Sequence, residues 1–269
     1  YGHQAIVQRL YALRPNCQTA ALLSSLSSGQ PEIFNWLYSR ADAETKNKLS
    51  SQEAMQAAVK GGKSTLVQQL IKSGNKNTNN IAGFAIQYHQ MPILKHYLDS
   101  LTQTQLKEQM LYLVNTAAEY NHVDILDYLN SLHIAIETDA EQCQLATHIA
   151  AEKGAIEALQ WLIQHKAPID DVCTGNTLLH KASYQDDSRT LNWLLSNKNA
   201  PKIAIDAQNH EGKTALHIAS DFMNVNSVNL LLTYNASRSV QDQEGNTALH
   251  LVTHSYLDNK NRALLYILL

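Results

Sequence analysis

The spacing of apolar residues along the chain predicts short paired helices. Val225, Val228, Leu231 and Leu232 recur at steps of three and four residues, which is the period of a helix with one buried face. Apolar triplets that begin at 161, 193 and 230 each start thirteen residues after a histidine, so the helices keep a fixed distance from a polar marker. With only 10 Gly and 5 Pro in 269 residues, the composition disfavours a Gly-rich all-β fold and favours an all-α fold.

The helices recur as copies of one unit. Asn209-His-Glu-Gly-Lys-Thr-Ala-Leu-His217 and Asp242-Gln-Glu-Gly-Asn-Thr-Ala-Leu-His250 place their histidines 33 residues apart. A third copy, Gly175-Asn-Thr-Leu-Leu-His180, lies 37 residues before His217, and a fourth, Leu145-Ala-Thr-His148, lies 32 residues before His180. Such a period is typical of repeat architectures, in which each unit buries its apolar face against its neighbours. The four extra residues of the 37-residue step fall within 197–206 and predict one longer loop.

Earlier segments keep the helix pattern without the threonine and histidine. We use "histidine slot" for the position that the histidine occupies in the later copies. In the earlier segments this slot is filled, at intervals of 33, 27 and 32 residues, by Leu23, Gln56, Gly83 and Asn115.

The later copies resemble the ankyrin repeat, whose pattern is near Asp-x-x-Gly-x-Thr-Pro-Leu-His-x-Ala-Ala. The resemblance implies an all-α ankyrin-repeat solenoid, made of stacked helix-turn-helix units with hairpin-like loops. The proline that usually follows the threonine is replaced by Leu178, Ala215 and Ala248. Because proline at the first helical turn is preferred but dispensable, this departure affects stability more than identity.

We interpret residues 1–269 as a single repeat array. It comprises a partial repeat at 1–17, degenerate repeats at 18–142 and well-matched repeats at 143–269, of which the last is truncated. Neither end carries a polar capping repeat of the kind that shields a terminal apolar face. We therefore expect the chain to be a segment of a longer protein.

Charge and cysteine content limit the classes of partner. The net charge of -3 gives no broad attraction to nucleic acid, and no apolar run approaches the roughly 20 residues of a membrane span. Cys17, Cys143 and Cys173 are odd in number and far apart, so we expect no disulfide framework and an intracellular, reducing compartment. The resulting expectation is a monomer with protein partners and no cofactor. The Asn- and Gln-rich texture also resembles arrays that intracellular bacteria deliver into host cells, which would place the chain in host cytosol or nucleus.

Three candidate chemistries are weaker than their structural alternatives. Gly61-Gly-Lys-Ser-Thr65 resembles part of a phosphate-binding loop, but Ala57 stands where that motif needs glycine, so we interpret it as a turn. Cys143 and Cys173 precede first helices, which could lower a thiol pKa, but no triad is readable around them. Metal ligands lie about 2–2.6 Å from one ion, whereas neighbouring helices are ~8–10 Å apart, so histidines of successive repeats cannot share a metal.

The resemblance implies a structural role for the repeated Thr and His residues. In the family each imidazole bonds the threonine and backbone groups at its repeat junction. Carried over, this structural set is Thr177, Thr214, Thr247, His148, His180, His217 and His250.

The resemblance also places partner contacts on the concave face of the first helices and at the hairpin tips. The outward first-helix positions are four and five residues past the histidine slot. The predicted partner-binding residues are Tyr120, Glu152, Lys153, Tyr184, Gln185, Glu211, Lys213, Asp221, Phe222, Glu244, Asn246 and His254. Exposed aromatic residues in one structural slot are typical anchors of binding hot spots, although single exposed aromatics are also common without a function.

Three hypotheses remain open at this point. The first is a non-catalytic module, without catalytic residues of its own, that binds a protein or peptide. The second is a targeting arm of a larger enzyme, such as a bacterial effector, whose catalytic domain lies outside this chain. The third is an architectural spacer.

Overall fold

The computed structural model describes residues 18–73, 75, 80–134, 145–253 and 267–268. Within these ranges the chain forms sixteen helices and no strand, which confirms the all-α prediction. The predicted partial repeat at 1–17, most of the last helical segment and His254 lie outside the described residues.

The chain divides into two compact units, residues 1–109 and residues 110–269. The first helices, as described, are α1 (Gln18–Ser27), α2 (Pro31–Arg40), α3 (Ala43–Lys48), α4 (Gln52–Lys60), α5 (Ser64–Lys72), α6 (Ile81–Gln87) and α7 (Met91–Asp99). The division falls within α8 (Gln103–Glu119). Unit 2 continues with α9 (Val123–Ser131), α10 (Ala146–Lys153), α11 (Ile156–Gln164), α12 (Leu178–Ala182), α13 (Arg189–Ser196), α14 (Ala215–Asp221), α15 (Val225–Thr233) and α16 (Ala248–Thr253).

Within each unit the first helix of a pair packs against its own second helix and against the first helix of the next pair. In unit 1, α1 contacts α2 and α4, and α4 contacts α5 and α6. In unit 2, α12 lies between α10 and α14, and α14 also contacts α16. Small residues that follow the histidine slot, such as Ala150, Ala182 and Ala219, are at most 1% exposed, which lets neighbouring first helices approach closely.

The second helices α5 of unit 1 and α11 and α15 of unit 2 bury the same three positions. These positions lie ten, eleven and fourteen residues after the histidine slot. They are filled by Leu66, Val67 and Leu70 in unit 1, and by Ala158, Leu159 and Leu162 and by Ser227, Val228 and Leu231 in unit 2. A fixed buried register therefore extends into the segments that lack the threonine and histidine.

The turn between paired helices has a second fixed register. In six of the described pairs, a residue with positive φ lies six positions after the histidine slot: Gly29, Gly62, His89, Asn121, Gly154 and Met223. The pair that follows His180 departs from this rule, since its second helix begins nine rather than eight residues after the slot. Among the loops of unit 2 that the structure describes in full, residues 197–214 form the longest. The sequence predicted extra length in this loop.

The glycine pair at 61–62 is explained by close packing. Gly62 has φ 70° and forms the turn into α5. A Cβ atom on Gly61 would lie 2.0 Å from the backbone oxygen of Leu26, so no side chain fits there without a backbone shift. The resemblance to a phosphate-binding loop thus arises from a tight helix-to-helix turn, as the sequence analysis favoured.

One element has no counterpart in the sequence analysis. Helix α3 is a single short helix between two pairs, and its N-cap Asp42 accepts a hydrogen bond of 2.7 Å from the backbone N–H of Thr45. An acidic N-cap of this kind satisfies an otherwise unpaired donor of the first turn.

Candidate functional site

Threonine and histidine side chains close the start of the first helices in unit 2. The imidazole Nδ1 of His217 lies 2.8 Å from Thr214 Oγ1 and accepts a hydrogen bond of 3.1 Å from the Thr214 backbone N–H. The pairs Thr177–His180 and Thr247–His250 repeat the same Oγ1 to Nδ1 distance of 2.8 Å. In the fourth copy Leu145 takes the cap position, and Thr147 Oγ1 instead donates to the carbonyl oxygen of Pro168 at 2.6 Å.

The opposite ring nitrogen joins each repeat to the next loop. His148 Nε2 lies 2.8 Å from the carbonyl oxygen of Asn176, His180 Nε2 lies 2.8 Å from that of Lys213, and His217 Nε2 lies 3.1 Å from that of Asn246. A carbonyl can only accept, so Nε2 carries a proton in each ring. In His180 and His217 the other nitrogen, Nδ1, accepts a backbone N–H and carries none, so these two imidazoles are neutral. Burial, which penalises the charged form, lowers the pKa of all three imidazoles below their ordinary value.

Asparagine and aspartate side chains organise the loops that receive these bonds. Asn209 Oδ1 accepts from the backbone N–H groups of Glu211 and Lys213, both at 3.0 Å. Asp242 Oδ1 accepts in the same way from Glu244 at 3.0 Å and Asn246 at 2.8 Å. Asn209 and Asp242 each lie three positions before a glycine, Gly212 or Gly245, and an Asx residue at such a spacing is a turn signal that could have identified them from the sequence.

Asn176 lies buried between the loops of two successive repeats. Its side chain is 7% exposed, and its Oδ1 accepts a hydrogen bond of 2.9 Å from Asn209 Nδ2. Because its carbonyl also receives the His148 bond, Asn176 connects the loops of successive repeats.

Charged residues line the outward side of the first helices in unit 2. We call this surface the first-helix face and define it by Glu119, Tyr120, Glu152, Lys153, Lys181, Tyr184, Gln185, Asp221 and Phe222. Lys153 Nζ lies 3.5 Å from Glu119 Oε1, and Lys181 Nζ lies 3.4 Å from Glu152 Oε2. Such partly exposed pairs stabilise a fold by little, so these side chains can rearrange towards a partner.

Two aromatic residues of the first-helix face meet across successive repeats. The ring centroids of Tyr184 and Phe222 are 4.9 Å apart with an interplanar angle of 72°, an edge-to-face contact. Phe222 remains 52% exposed, and Lys181 Nζ lies 5.4 Å from the Tyr184 ring centroid. Tyr120, the third predicted aromatic, is 37% exposed and stacks on His122 instead.

Acidic side chains surround the aromatic pair. Burial raises the pKa of Tyr184, and the nearby charges of Glu152, Glu211 and Asp221 raise it further, while Lys213 opposes them. Asp221 is exposed, and so is Gln185, the residue that follows Tyr184 in the chain.

The predicted loop residues differ in their surroundings. Glu211 pairs with Lys213 at 2.9 Å, and Glu244 is exposed and accepts a hydrogen bond of 3.2 Å from Asn246 Nδ2. Asn246 is half-buried and its carbonyl receives the His217 bond, so part of it belongs to the repeat junction.

A shallow cavity of about 260 Å³ opens beside the ion pairs of the first-helix face. It is large enough for a side chain of a partner. Its lining consists of Glu119, Leu145, His148, Ile149, Glu152, Lys153 and Lys181.

Cys173 takes part in a disulfide. The cysteine spacing, which showed no disulfide framework, did not predict this bond. In the described part of the chain, no helix combines the length and apolar character that crossing a membrane requires.

Comparison with known families finds two matches. Residues 148–195 match the family model "Ankyrin repeats (many copies)", and residues 179–268 match "Ankyrin repeats (3 copies)". Together they span residues 148–268, which begin at His148 and include the copies that contain His180, His217 and His250.

Individual proteins are also similar to this chain. Mouse synphilin-1 is 27% identical over 139 residues, which is 49% of this chain and 14% of that protein. The chicken nuclear factor NF-kappa-B p105 subunit is 26% identical over 54% of this chain and 14% of its own length. Human NF-kappa-B inhibitor epsilon is 36% identical over 77 residues, 29% of this chain and 15% of that protein. The chain thus spans about a seventh of the length of these relatives.

Proposed function

Because this chain is an ankyrin repeat protein, we propose that it is a non-catalytic recognition module that binds a partner protein or peptide through the first-helix face of unit 2 and the adjoining loops. Ankyrin repeats generally mediate protein–protein interaction and are typically non-catalytic. The human relative carries a name, NF-kappa-B inhibitor, that describes action on another protein, which supports the same kind of function here.

The aromatic pair carries the proposal. Tyr184 lies four residues after His180, and Phe222 lies five residues after His217 in the next repeat. The two rings contact each other, and Phe222 remains half exposed. Aromatic side chains supply large contact area at low cost in conformational entropy and are enriched among the residues that dominate binding energy. Both aromatic residues follow a first helix whose histidine is hydrogen-bonded to the next loop, His180 to the Lys213 carbonyl and His217 to the Asn246 carbonyl. These bonds hold the two aromatic residues on a fixed frame.

The charged residues form a polar border around this centre. Glu152, Lys153, Glu211 and Lys213 are paired with neighbours at 2.9–3.5 Å, and none is fully buried. Polar, solvent-accessible residues around an apolar centre are the usual composition of a protein interface. The predicted residues thus divide into an aromatic centre and a charged border that tunes association rate and specificity.

The proposal concerns this chain alone. A catalytic domain elsewhere in a longer protein would make the module the recognition arm of an enzyme. If a bacterium delivered the chain into a host cell, the partner would be a host protein. This hypothesis rests on the Asn- and Gln-rich composition of the sequence.

Affinity capture from a cell lysate followed by measurement of Kd with the purified partner tests the proposal. Replacing both Tyr184 and Phe222 by alanine should weaken binding at least about thirtyfold, which corresponds to the roughly 2 kcal/mol of a single hot-spot residue, since the effects of two contacting residues are not additive. The matched control is Tyr112→Ala, because Tyr112 is 51% exposed and lies outside the first-helix face. An unchanged Kd in the double variant, with helix content intact by circular dichroism, would show that another surface binds.

A further inference from the structure

We propose that Phe222 and Asp221 form a subsite for an arginine side chain of the partner. This inference rests on the proposed function and names the chemistry of one contact within it. It assigns the guanidinium to the open face of Phe222 and to the carboxylate of Asp221.

The geometry of the aromatic pair leaves one ring available. Tyr184 has the Lys181 ammonium 5.4 Å from its ring centroid, so that ring already has a cation near it. The Phe222 side chain is 52% exposed. Among the described residues, no lysine or arginine forms a comparable cation–π contact with its ring. A cation within about 6 Å of an aromatic ring is attracted by the negative charge of the ring face.

Charge complementarity favours the same ligand. The lysines near the pair are each engaged with a glutamate, Lys181 with Glu152 at 3.4 Å and Lys213 with Glu211 at 2.9 Å. Asp221 forms no ion pair within 4.0 Å among the described residues, although its charge is close enough to raise the pKa values of Tyr184 and Lys213. Asp221, which directly precedes Phe222 in the chain, therefore adds an exposed negative charge that no ion pair among the described residues neutralises.

Arginine suits this arrangement better than lysine. Its planar guanidinium can stack on an aromatic face and still direct two N–H groups to one carboxylate, which an ammonium cannot do. It is also more weakly hydrated than an ammonium, so contact with an apolar ring costs less desolvation.

The test uses the full chain and three synthetic peptides, acetyl-Gly-Ala-Xaa-Ala-Gly-amide, with arginine, lysine or citrulline as Xaa. Citrulline keeps the planar shape of arginine and removes its charge. Amide chemical shifts of Gln185 and Phe222 are followed by NMR at about 150 mM salt, where long-range electrostatic attraction is screened. We expect the arginine peptide to bind at least threefold more tightly than the lysine peptide, and the citrulline peptide to cause no saturable shift.

Two conservative variants locate the contact. Phe222→Leu keeps an apolar side chain without a ring, and Asp221→Asn keeps the shape without the charge; each should weaken the arginine peptide roughly three- to tenfold. Matched controls are Tyr112→Leu, which removes an equally exposed ring, and Asp99→Asn, which removes an exposed carboxylate in unit 1; neither should change binding.

The outcomes separate this inference from the proposed function. Equal binding of the arginine and lysine peptides, or arginine binding that is unchanged in Phe222→Leu and Asp221→Asn, would overturn the arginine subsite. If the captured partner still depends on Tyr184 and Phe222 in that case, the first-helix face remains the binding surface. If it does not, both proposals fail.

Discussion

Units 1 and 2 share their buried positions but differ in how their repeats are joined. In unit 2, from His148 onward, an imidazole in the histidine slot bridges to the next loop, as His217 does to Asn246 at 3.1 Å. In unit 1 the same slot holds Gln56, whose Nε2 donates a hydrogen bond of 2.8 Å to the hydroxyl of Tyr88. Asn75 adds a second junction by donating to the carbonyl oxygens of Leu49 at 2.8 Å and Ser51 at 2.9 Å.

The difference separates two roles within a repeat. The buried register of the second helices is common to both units, so apolar spacing is sufficient to specify paired helices. The repeated threonine and histidine residues, together with the loop residues Asn209 and Asp242, lie in unit 2, where they set the geometry of the loops. The repeat signature therefore reports on the junctions between repeats more than on the helices themselves.

The largest expected effect tests what the units share. Replacing Leu66 in unit 1 or Leu159 in unit 2 by alanine removes a side chain that is 0% exposed, and each should cost about 2–5 kcal/mol of unfolding free energy. Urea unfolding followed by circular dichroism measures both. A cost below about 1 kcal/mol for Leu66 alone would mean that the core of unit 1 does not depend on this register.

The second effect tests how the units differ. His217→Ala removes a buried group that bonds Thr214 and the Asn246 carbonyl, and should lower the unfolding free energy by about 1–3 kcal/mol with a lower melting temperature. Gln56→Ala removes one hydrogen bond from a half-buried position, so about 1 kcal/mol is expected. An unaltered melt for His217→Ala would contradict the junction role of the imidazole.

The pH dependence should also differ between the units. His148, His180 and His217 have pKa values lowered by burial, so the unfolded chain takes up protons first as pH falls below about 6.5. The stability that these imidazoles contribute to the folded state is fully present above that pH and is lost progressively below it. Stability should therefore decrease between pH 7.5 and 5.5, above the usual range of carboxylate titration.

Urea midpoints across this pH range measure the effect, and backbone amide exchange assigns it to a unit. The three imidazoles with lowered pKa values all lie in unit 2, so amide exchange should place the loss of stability there. Stability that rises as pH falls through this range would contradict the neutral state of the three imidazoles.

The smallest effect concerns the surface. Lys153→Ala removes a partly exposed ion pair of 3.5 Å with Glu119 and should change the unfolding free energy by less than about 1 kcal/mol. In the same variant, the affinity for the partner should change more with salt concentration than the unfolding free energy does. A loss of several kcal/mol on unfolding would show that the pair is structural.

Much of the fold could be predicted from the sequence, but less of the surface. Apolar spacing and the repeated histidines predicted the helix pairs and the longer loop near 197–206, because both depend on local periods. The burial of Asn176 and the contact between Tyr184 and Phe222 could not be derived in this way. Each depends on how two repeats meet, which residue spacing within one repeat does not specify. The short helix α3 was missed because it has only six residues and no apolar period of its own.

Site-specific crosslinking tests the central claim most directly. A photoreactive phenylalanine analogue at position 222, in the otherwise unchanged chain, should crosslink to the captured partner, whereas the same analogue at position 112 should not. Crosslinking at 112 with none at 222 would contradict the assignment of the first-helix face as the binding surface.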